Sequence, residues 1–366
     1  MKRTLTTLLL AISTAAPITL ATARAEDAPR VVTDIAPVHS LVSLVMEGAG
    51  EPALLLEPGA SPHHYSLKPS QAKILNKADV VFWIGPELTP WLSESLESLA
   101  VNALHVELLE GEGVYALPMR EEHLFEHDDH DDHDEHGDHD EHGDEHDEHA
   151  DHDDHAKHDE HADHDEHDAH AKTEEHEDHH DEDEHGKHDD HDKHAGLTDP
   201  HIWLDPKNAV AILNNIAEAL VKSDPANAAL YRDNAIKAQA ALNQQMAELK
   251  PQFSNIGESK FLMFHDAYQY FENRFGLAAA GAVLSAEAQR PGPARVEAIV
   301  DMINDQGVDC LFTDAEAKPS MVNMLASETG MRVVRIEPLA VERPIGPLLY
   351  QQLIQDMATS IGGCLK

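Results

Sequence analysis

Four side chains stand at the ends of apolar segments or just before a helical pattern, and together their types could bind a metal ion. His63 lies in the segment GASPHHYSLKPS, which comes shortly after the apolar run ALLL. His265 ends the segment KFLMFH, and Asp314 ends VDCLFTD. His201 lies in DPHIWLDP, directly before a helical pattern. Three neutral imidazoles and one carboxylate make a tetrahedral set that suits Zn²⁺. A lone histidine at a strand end is more often a hydrogen-bonded surface residue, and that interpretation stays open for each of the three.

Apolar runs and helical patterns alternate along the chain, and they are the elements that must position these residues. The alternation is typical of βαβ units with a mostly parallel sheet, whose strands are buried on both faces. A helix is predicted to begin at Pro206, and a longer one behind Asp224, with Pro225 at its first position, running to Pro251. We therefore predict an α/β fold: two lobes with mostly parallel sheets, joined by one long rigid helix. Ligands of such sheets bind beyond the carboxyl ends of the strands, here in a cleft between the lobes.

The predicted domain boundaries follow from this pattern. A signal peptide occupies residues 1–25, because a basic start and a short apolar stretch precede an A-x-A pattern ending at Ala25. We expect this signal peptide to direct the chain to the periplasm and to be cleaved after Ala25. The first lobe is expected at 26–222, the connecting helix at 223–254 and the second lobe at 255–366.

Residues 122–194 form an insertion in the first lobe that is rich in His, Asp and Glu. The adjoining range 121–194 carries −32 of the formal net charge of −43, and it holds 23 of the 29 histidines. Much of it repeats histidine every three residues, a period that forms no helical or strand face, so we expect disorder without metal. We interpret it as a collector of several weakly bound Zn²⁺ ions, or else as a solvated acidic loop. The match to H-E-x-x-H at 176–180 is expected by chance in such a composition.

The remaining chain excludes some classes of function. Its acidic balance argues against nucleic acid and anionic membranes as partners.

Cys310 and Cys364 are the only cysteines, and in an oxidising compartment they are expected to form one disulfide; two unpaired thiols are the alternative.

Long segments of the chain resemble a known family. GASPHHYSLKPSQAKILNKADVVFWIGPEL, DPHIWLDP, FLMFHDAYQYFENRFGL and CLFTDAEAKP are similar to the periplasmic zinc-binding proteins of zinc-uptake ABC transporters, the ZnuA type of the cluster A-I family. The resemblance implies a two-lobed fold with a metal held between the lobes. It implies that His63, His201 and His265 are ligands. Asp314 matches a fourth ligand of some members, whereas others use water or another carboxylate, and Glu316 is a nearby competitor.

Two positions refine this comparison. His64 stands where relatives often carry Asp, so it is either a side chain at the cleft rim or a group that orients a neighbour. Relatives that transport manganese tend to carry Glu at the position of His265, and a third imidazole favours Zn²⁺ over Mn²⁺ without excluding Cu²⁺ or Ni²⁺.

The resemblance implies a monomeric binding protein, not an enzyme, that delivers Zn²⁺ to an ABC permease for import; a periplasmic zinc chaperone is a further candidate partner. A zinc enzyme is one alternative, but outside the insertion the sequence has no G-x-S-x-G, Walker or H-E-x-x-H motif. A metal-buffering or storage protein, and a binding protein for Mn, Ni or Cu, are the others.

Overall fold

The computed structural model describes residues 28–120, 197–254, 256 and 259–366. The predicted signal peptide and its cleavage site, the predicted disorder of 122–194 and the chance motif at 176–180 lie outside these residues.

The first sheet consists of four parallel strands. They are β1 (Val31–Thr33), β2 (Ala53–Leu54), β3 (Val80–Trp83) and β4 (Leu104–Glu107), in the order β2-β1-β3-β4. Its helices are α1 (Ala36–Val45), α2 (Pro69–Leu75) and α3 (Pro90–Leu99). The central strands β1 and β3 are buried throughout, as expected for a parallel sheet covered on both faces.

The second sheet repeats the arrangement of the first. Its strands are β5 (Lys260–His265), β6 (Gly281–Leu284), β7 (Val308–Thr313) and β8 (Arg332–Arg335), all parallel, in the order β6-β5-β7-β8. Its helices are α6 (Gln269–Phe275), α7 (Pro293–Gln306), α8 (Pro319–Thr329) and α9 (Leu349–Cys364). The strand order reverses between β5 and β7, and such a switch point leaves a crevice at the carboxyl ends of the two strands. The predicted α/β fold with two lobes is confirmed.

Two further helices, α4 (Pro206–Ser223) and α5 (Ala228–Phe253), connect the sheets. Asp205 starts α4, because its Oδ1 accepts a hydrogen bond from the backbone N–H of Lys207. The predicted start behind Asp224 is wrong by one turn: Pro225–Asn227 is a 3-10 turn, and α5 begins after it. The helix also continues through Pro251, since the ring of Phe253 is buried against the rings of Phe271 and Phe275.

Helix α5 packs against helices that belong to both halves of the fold. It packs on α1 and α4 and also on α9. The largest hydrophobic core contains residues of both sheets, such as Phe82 of β3 and Phe312 of β7, together with side chains from these four helices. Smaller cores cover the outer face of each sheet. The described residues accordingly belong to one compact unit, while the predicted domain boundaries stay predictions.

A disulfide joins Cys310 of β7 to Cys364 at the end of α9, which confirms the predicted pairing. The guanidinium of Arg332 also donates to the carbonyl oxygen of Cys364 at 2.5 Å. The last helix is thereby attached to the second sheet. Among the described residues, no helix combines the length and the apolar character needed to cross a membrane.

Candidate metal centre

His63 lies in the loop between β2 and α2. The loop turns at Gly59, whose φ of +81° is a conformation that glycine adopts without strain. Two side chains hold the loop: the indole N–H of Trp91 donates to the carbonyl oxygen of Pro62 at 2.8 Å, and Gln71 donates to Tyr65 Oη at 2.7 Å. The loop is therefore held on both sides of His63.

His201 precedes a short 3-10 turn, Ile202–Leu204. The buried Trp203 in this turn donates its indole N–H to the carbonyl oxygen of Pro338 at 2.8 Å, a contact to the second lobe. On the other side of His201, Asp199 accepts from the backbone N–H and lies 2.8 Å from Nδ1 of the same histidine. The ring is thus held from behind by a buried carboxylate.

His265 and Asp314 come from the switch point of the second sheet. His265 is the last residue of β5, and Asp314 directly follows β7. The Oδ2 atom of Asp314 lies 3.4 Å from Nδ1 of His265 and accepts from the hydroxyl of Tyr268 at 3.2 Å. Adjacent parallel strands deliver both side chains to one crevice, as the sequence predicts.

The structure brings the three predicted histidines together. Potential ligand atoms of His63, His201 and His265 all lie within 4.8 Å of one another, and the ring centroids are 5.2 to 5.5 Å apart. The three residues are only 6%, 1% and 3% exposed, respectively. They border a small cavity of about 30 Å³ that Asp314 and Glu316 also line.

Hydrogen bonds indicate which nitrogen of each imidazole is available for a ligand. Nε2 of His63 is buried and has no hydrogen-bond partner among the described residues. Nδ1 of His265 is also buried and makes no hydrogen bond of good geometry, although the carboxylate of Asp314 lies 3.4 Å away. The other nitrogen of His265 lies 3.1 Å from the carbonyl oxygen of Ala286. For His201, Nδ1 faces Asp199, so Nε2 is the available atom. Three inward nitrogens, two of them without hydrogen-bond partners, fit the ligand set of a metal ion.

Burial sets the charge state of the cluster. It lowers the pKa of His63 and of His201 well below the usual value, and the neighbouring histidines lower both further. Burial also lowers the pKa of His265, but the nearby carboxylate of Asp314, with the Ala286 carbonyl and the charge of Glu316, outweighs it and the net shift is upward. His63 and His201 are therefore neutral at pH 7, the form that binds metal.

The predicted fourth position has two candidates. Both oxygens of Asp314 are engaged, because Oδ1 accepts from the backbone N–H of Glu316 at 3.0 Å and Oδ2 accepts from Tyr268. Each carboxylate oxygen has a second lone pair, so these bonds do not prevent coordination. Glu316 lines the same cavity and is less buried.

Sequence reasoning missed several groups around the site. Asp199 is the main one, and its place two residues before a histidine was the available signal, since ligating histidines usually donate their other N–H to a carboxylate or carbonyl. Glu337, just beyond β8, also lines the cavity. No local pattern identifies Tyr268, because its hydroxyl reaches Asp314 only through the tertiary fold.

A polar network behind the site ties the segment before the insertion to the second lobe. The guanidinium of Arg120 binds the carboxylate of Asp266, the neighbour of His265, and donates to Glu272 at 2.9 Å. The hydroxyl of Tyr270 accepts from the backbone N–H of Leu117 and donates to the carbonyl oxygen of residue 199. The chain segments that flank the insertion are therefore fixed beside the histidine cluster.

Comparison with known proteins supports one family. The high-affinity zinc uptake system protein ZnuA of Brucella suis is 42% identical over 340 residues, covering 92% of this chain and 91% of the relative. The protein of the same name from Paracoccus denitrificans is 39% identical over 344 residues, covering 94% and 93%.

A crystal structure of ZnuA has the same fold. It superposes with a TM-score of 0.66 at 18% identity, over 93% of this chain and all of the other. A family model described as the periplasmic component A of the zinc-uptake complex, ZnuA, matches residues 31–364. With that match and with relatives aligned over more than nine-tenths of its length, the chain belongs to the ZnuA family.

Proposed function

We propose that the chain is a periplasmic solute-binding protein that binds Zn²⁺ at His63, His201 and His265 and delivers it to an ABC permease for import. Asp314 is the proposed fourth ligand. The observation that carries this proposal is the convergence of three buried, inward imidazole nitrogens within 4.8 Å. The names of the Brucella and Paracoccus relatives, which are zinc uptake proteins, support zinc as the transported ion.

The chemistry of the ligand set favours zinc. Three imidazoles with one carboxylate give tetrahedral coordination, whereas Mn²⁺ prefers oxygen ligands. Cu²⁺ and Ni²⁺ also bind imidazole well, so competition is needed to rank them. The family consists of transport components, and we propose that the bound ion is cargo with no catalytic role.

A zinc titration on a variant that lacks residues 122–194 tests the proposed site. A competing chelator should reveal one tightly bound Zn²⁺ per chain. His63→Ala, His201→Ala and His265→Ala should each weaken it on the order of a hundredfold or more, because a direct ligand contributes at least as much as its outer partners. An unchanged affinity in any one variant would remove that residue from the site.

A matched control is available within the chain. His105 is an exposed histidine of β4 whose Nε2 lies 2.9 Å from the carbonyl oxygen of Ala100. His105→Ala should leave the tight site unchanged. Repeating the titration with Mn²⁺, Ni²⁺ and Cu²⁺ in competition with Zn²⁺ would show whether zinc is preferred, and a preference for Mn²⁺ would contradict the proposed cargo.

The remaining parts of the proposal concern the whole protein. We propose cleavage after Ala25, a monomeric state, and exchange with a periplasmic zinc chaperone in addition to the permease. The insertion at 122–194 supplies weaker sites that concentrate Zn²⁺ near the cleft. The mass of the exported protein, sedimentation of the purified chain and growth of a deletion strain under zinc starvation test these points separately.

A further inference from the structure

A second, larger cavity lies outside the histidine cluster. It has a volume of about 450 Å³ and is lined by His63, His64, Glu87 and Glu287, with Met119 and Leu197 among its other walls. We call it the outer cavity. His63 borders both this space and the small cavity of the cluster, so the two cavities meet at this residue.

The cluster itself leaves little free space. Because its three histidines are almost fully buried around a cavity of about 30 Å³, a hydrated ion does not fit there and must shed its water on the way in. A route that supplies protein ligands one at a time avoids an uncompensated, partly dehydrated cation. His63 lines the outer cavity, so an ion in this cavity lies next to a ligand of the cluster.

The outer cavity offers ligands of the right kind. His64 is exposed, and its ring centroid is 6.4 Å from that of His63. Oε2 of Glu87 is buried and has no hydrogen-bond partner among the described residues. A Cβ on Gly85 would lie 3.0 Å from this oxygen and 3.0 Å from Oε1 of Glu107, so a second carboxylate adds negative charge at the same place. An imidazole and a carboxylate are both ligands of Zn²⁺.

The outer cavity also lies where the histidine-rich insertion is attached. The backbone N–H of Met119 donates to the carbonyl oxygen of Leu197 at 2.9 Å, and both residues line the cavity. The chain therefore leaves for the insertion and returns from it at this wall.

We propose that the outer cavity is a transit site for Zn²⁺, in which His64 and Glu87 bind the ion before it passes to Nε2 of His63. The transfer is a ligand exchange: a bond from zinc to a transit ligand or water breaks as the bond to His63 forms, and no electrons move. The inference rests on the proposed function of the histidine cluster.

Stopped-flow mixing with Zn²⁺ alone tests the transit site in the mature full-length chain and in the variant that lacks 122–194. The fluorescence of Trp203, whose ring centroid is 5.3 Å from that of His201, reports arrival at the cluster. His64→Ala and Glu87→Gln should each slow association about tenfold and slow dissociation in parallel, because a step on the path is lost in both directions. The ratio of the two rates should change by less than about threefold.

His64→Asp and His105→Ala are the matched variants. His64→Asp keeps a zinc ligand at the same position and should restore most of the association rate, which a merely structural role would not predict. His105→Ala removes an exposed imidazole elsewhere and should change neither rate.

Two results would overturn the transit site. One is an association rate that is unchanged in both His64→Ala and Glu87→Gln. The other is a loss of affinity caused by faster dissociation alone, which would make these residues supports of the bound state. Absence of tight zinc binding in the unsubstituted chain would instead refute the proposed function, so the two failures are distinguishable.

Discussion

Nδ1 of His201 and Oδ1 of Asp199 lie 2.8 Å apart, and both side chains are only 2% exposed. The same oxygen accepts the backbone N–H of His201, so one buried carboxylate fixes both the ring and its backbone. A carboxylate in this position holds the imidazole tautomer that directs Nε2 toward a metal and makes it more basic.

Removing this carboxylate should therefore weaken zinc binding without removing a ligand. We expect Asp199→Ala to reduce affinity roughly 10- to 100-fold, and Asp199→Asn to reduce it less, because the amide oxygen still accepts a hydrogen bond. Chelator competition on the variant lacking 122–194 measures both. Asp233→Ala, an exposed position on α5, is the control, and equal affinities for Asp199→Ala and Asp233→Ala would contradict the role assigned to Asp199.

The fourth ligand can be identified by paired substitutions. Asp314→Asn should reduce zinc affinity about tenfold or more, whereas Glu316→Gln should reduce it less, because only the former carboxylate adjoins an inward nitrogen of the cluster. The amide in Asp314→Asn can still accept from Tyr268, which limits structural damage. The reverse order of the two losses would assign the position to Glu316.

The insertion should be removable without damage to the tight site. The backbone N–H of Asp199 donates to the carbonyl oxygen of Leu117, and a second bond joins Met119 to Leu197, so the flanking segments already form a short antiparallel pair. Deletion of 122–194 leaves a few residues to close this pair, a length typical of hairpins. Calorimetry should show several weak zinc sites lost and one tight site retained. Loss of the tight site would place ligands within the insertion.

The disulfide should contribute to stability more than to binding. It closes a loop with a sequence separation of 54 residues, and a loop of this size is worth about 2–4 kcal/mol of unfolding free energy. Urea unfolding with and without reductant measures the difference, and Cys310→Ser with Cys364→Ser should reproduce it. Labelling of the denatured, unreduced protein should find no free thiol; two labels per chain would show that the bond does not form.

Asp34 should make folding stability depend on pH. Its carboxylate is fully buried beyond β1 and accepts from the backbone N–H groups of Ile35 and Ile84. Burial raises its pKa from 3.8 to about 7, and the backbone hydrogen bonds only partly oppose this. The folded state therefore binds the proton more tightly than the unfolded chain. Stability from this group falls as the pH rises from about 4 to about 7, by up to about 1.4 kcal/mol per pH unit.

Urea unfolding from pH 4 to pH 8 tests this dependence. Asp34→Asn removes the titrating group, so the difference in unfolding free energy between it and the unsubstituted protein should change across this window. Asp79 is a control whose pKa is shifted in the opposite direction, because its hydrogen bond with Arg30 lowers its pKa. The contribution of Asp79 is lost only as the pH falls below about 4, so Asp79→Asn should not alter the slope between pH 5 and pH 7. Parallel curves for Asp34→Asn and the unsubstituted protein would refute the prediction.

Sequence patterns are sufficient to predict the central strands of both sheets, two of which carry site residues. Their sequences Val80–Trp83, Lys260–His265 and Val308–Thr313 each contain a run of apolar residues that is buried in the sheet, and such a run predicts a strand of a parallel sheet. Strand β4 (Leu104–Glu107) was not predicted, because it lies at the edge of its sheet and carries exposed and charged side chains. An edge strand takes its conformation from one neighbour, and its own pattern is weak.

The remaining features of the site depend on long-range contacts. Arg120 precedes a highly charged insertion, and an arginine in such a sequence is expected to be exposed to solvent. In the structure it instead forms ion pairs with Asp266 and Glu272 of the second lobe. A local window contains neither partner, so composition and periodicity could not indicate them.

The core that both sheets share has a consequence for how the protein comes apart. Val31 and Phe82 belong to the same buried cluster as Phe261 and Phe312, so a fragment containing one sheet would expose an apolar face for which it has no other cover. The two halves should melt in a single cooperative transition, and neither should be recoverable as a soluble fragment. Heating would then unfold both halves and release the bound zinc in one step. The melting temperature would therefore rise with the concentration of free zinc.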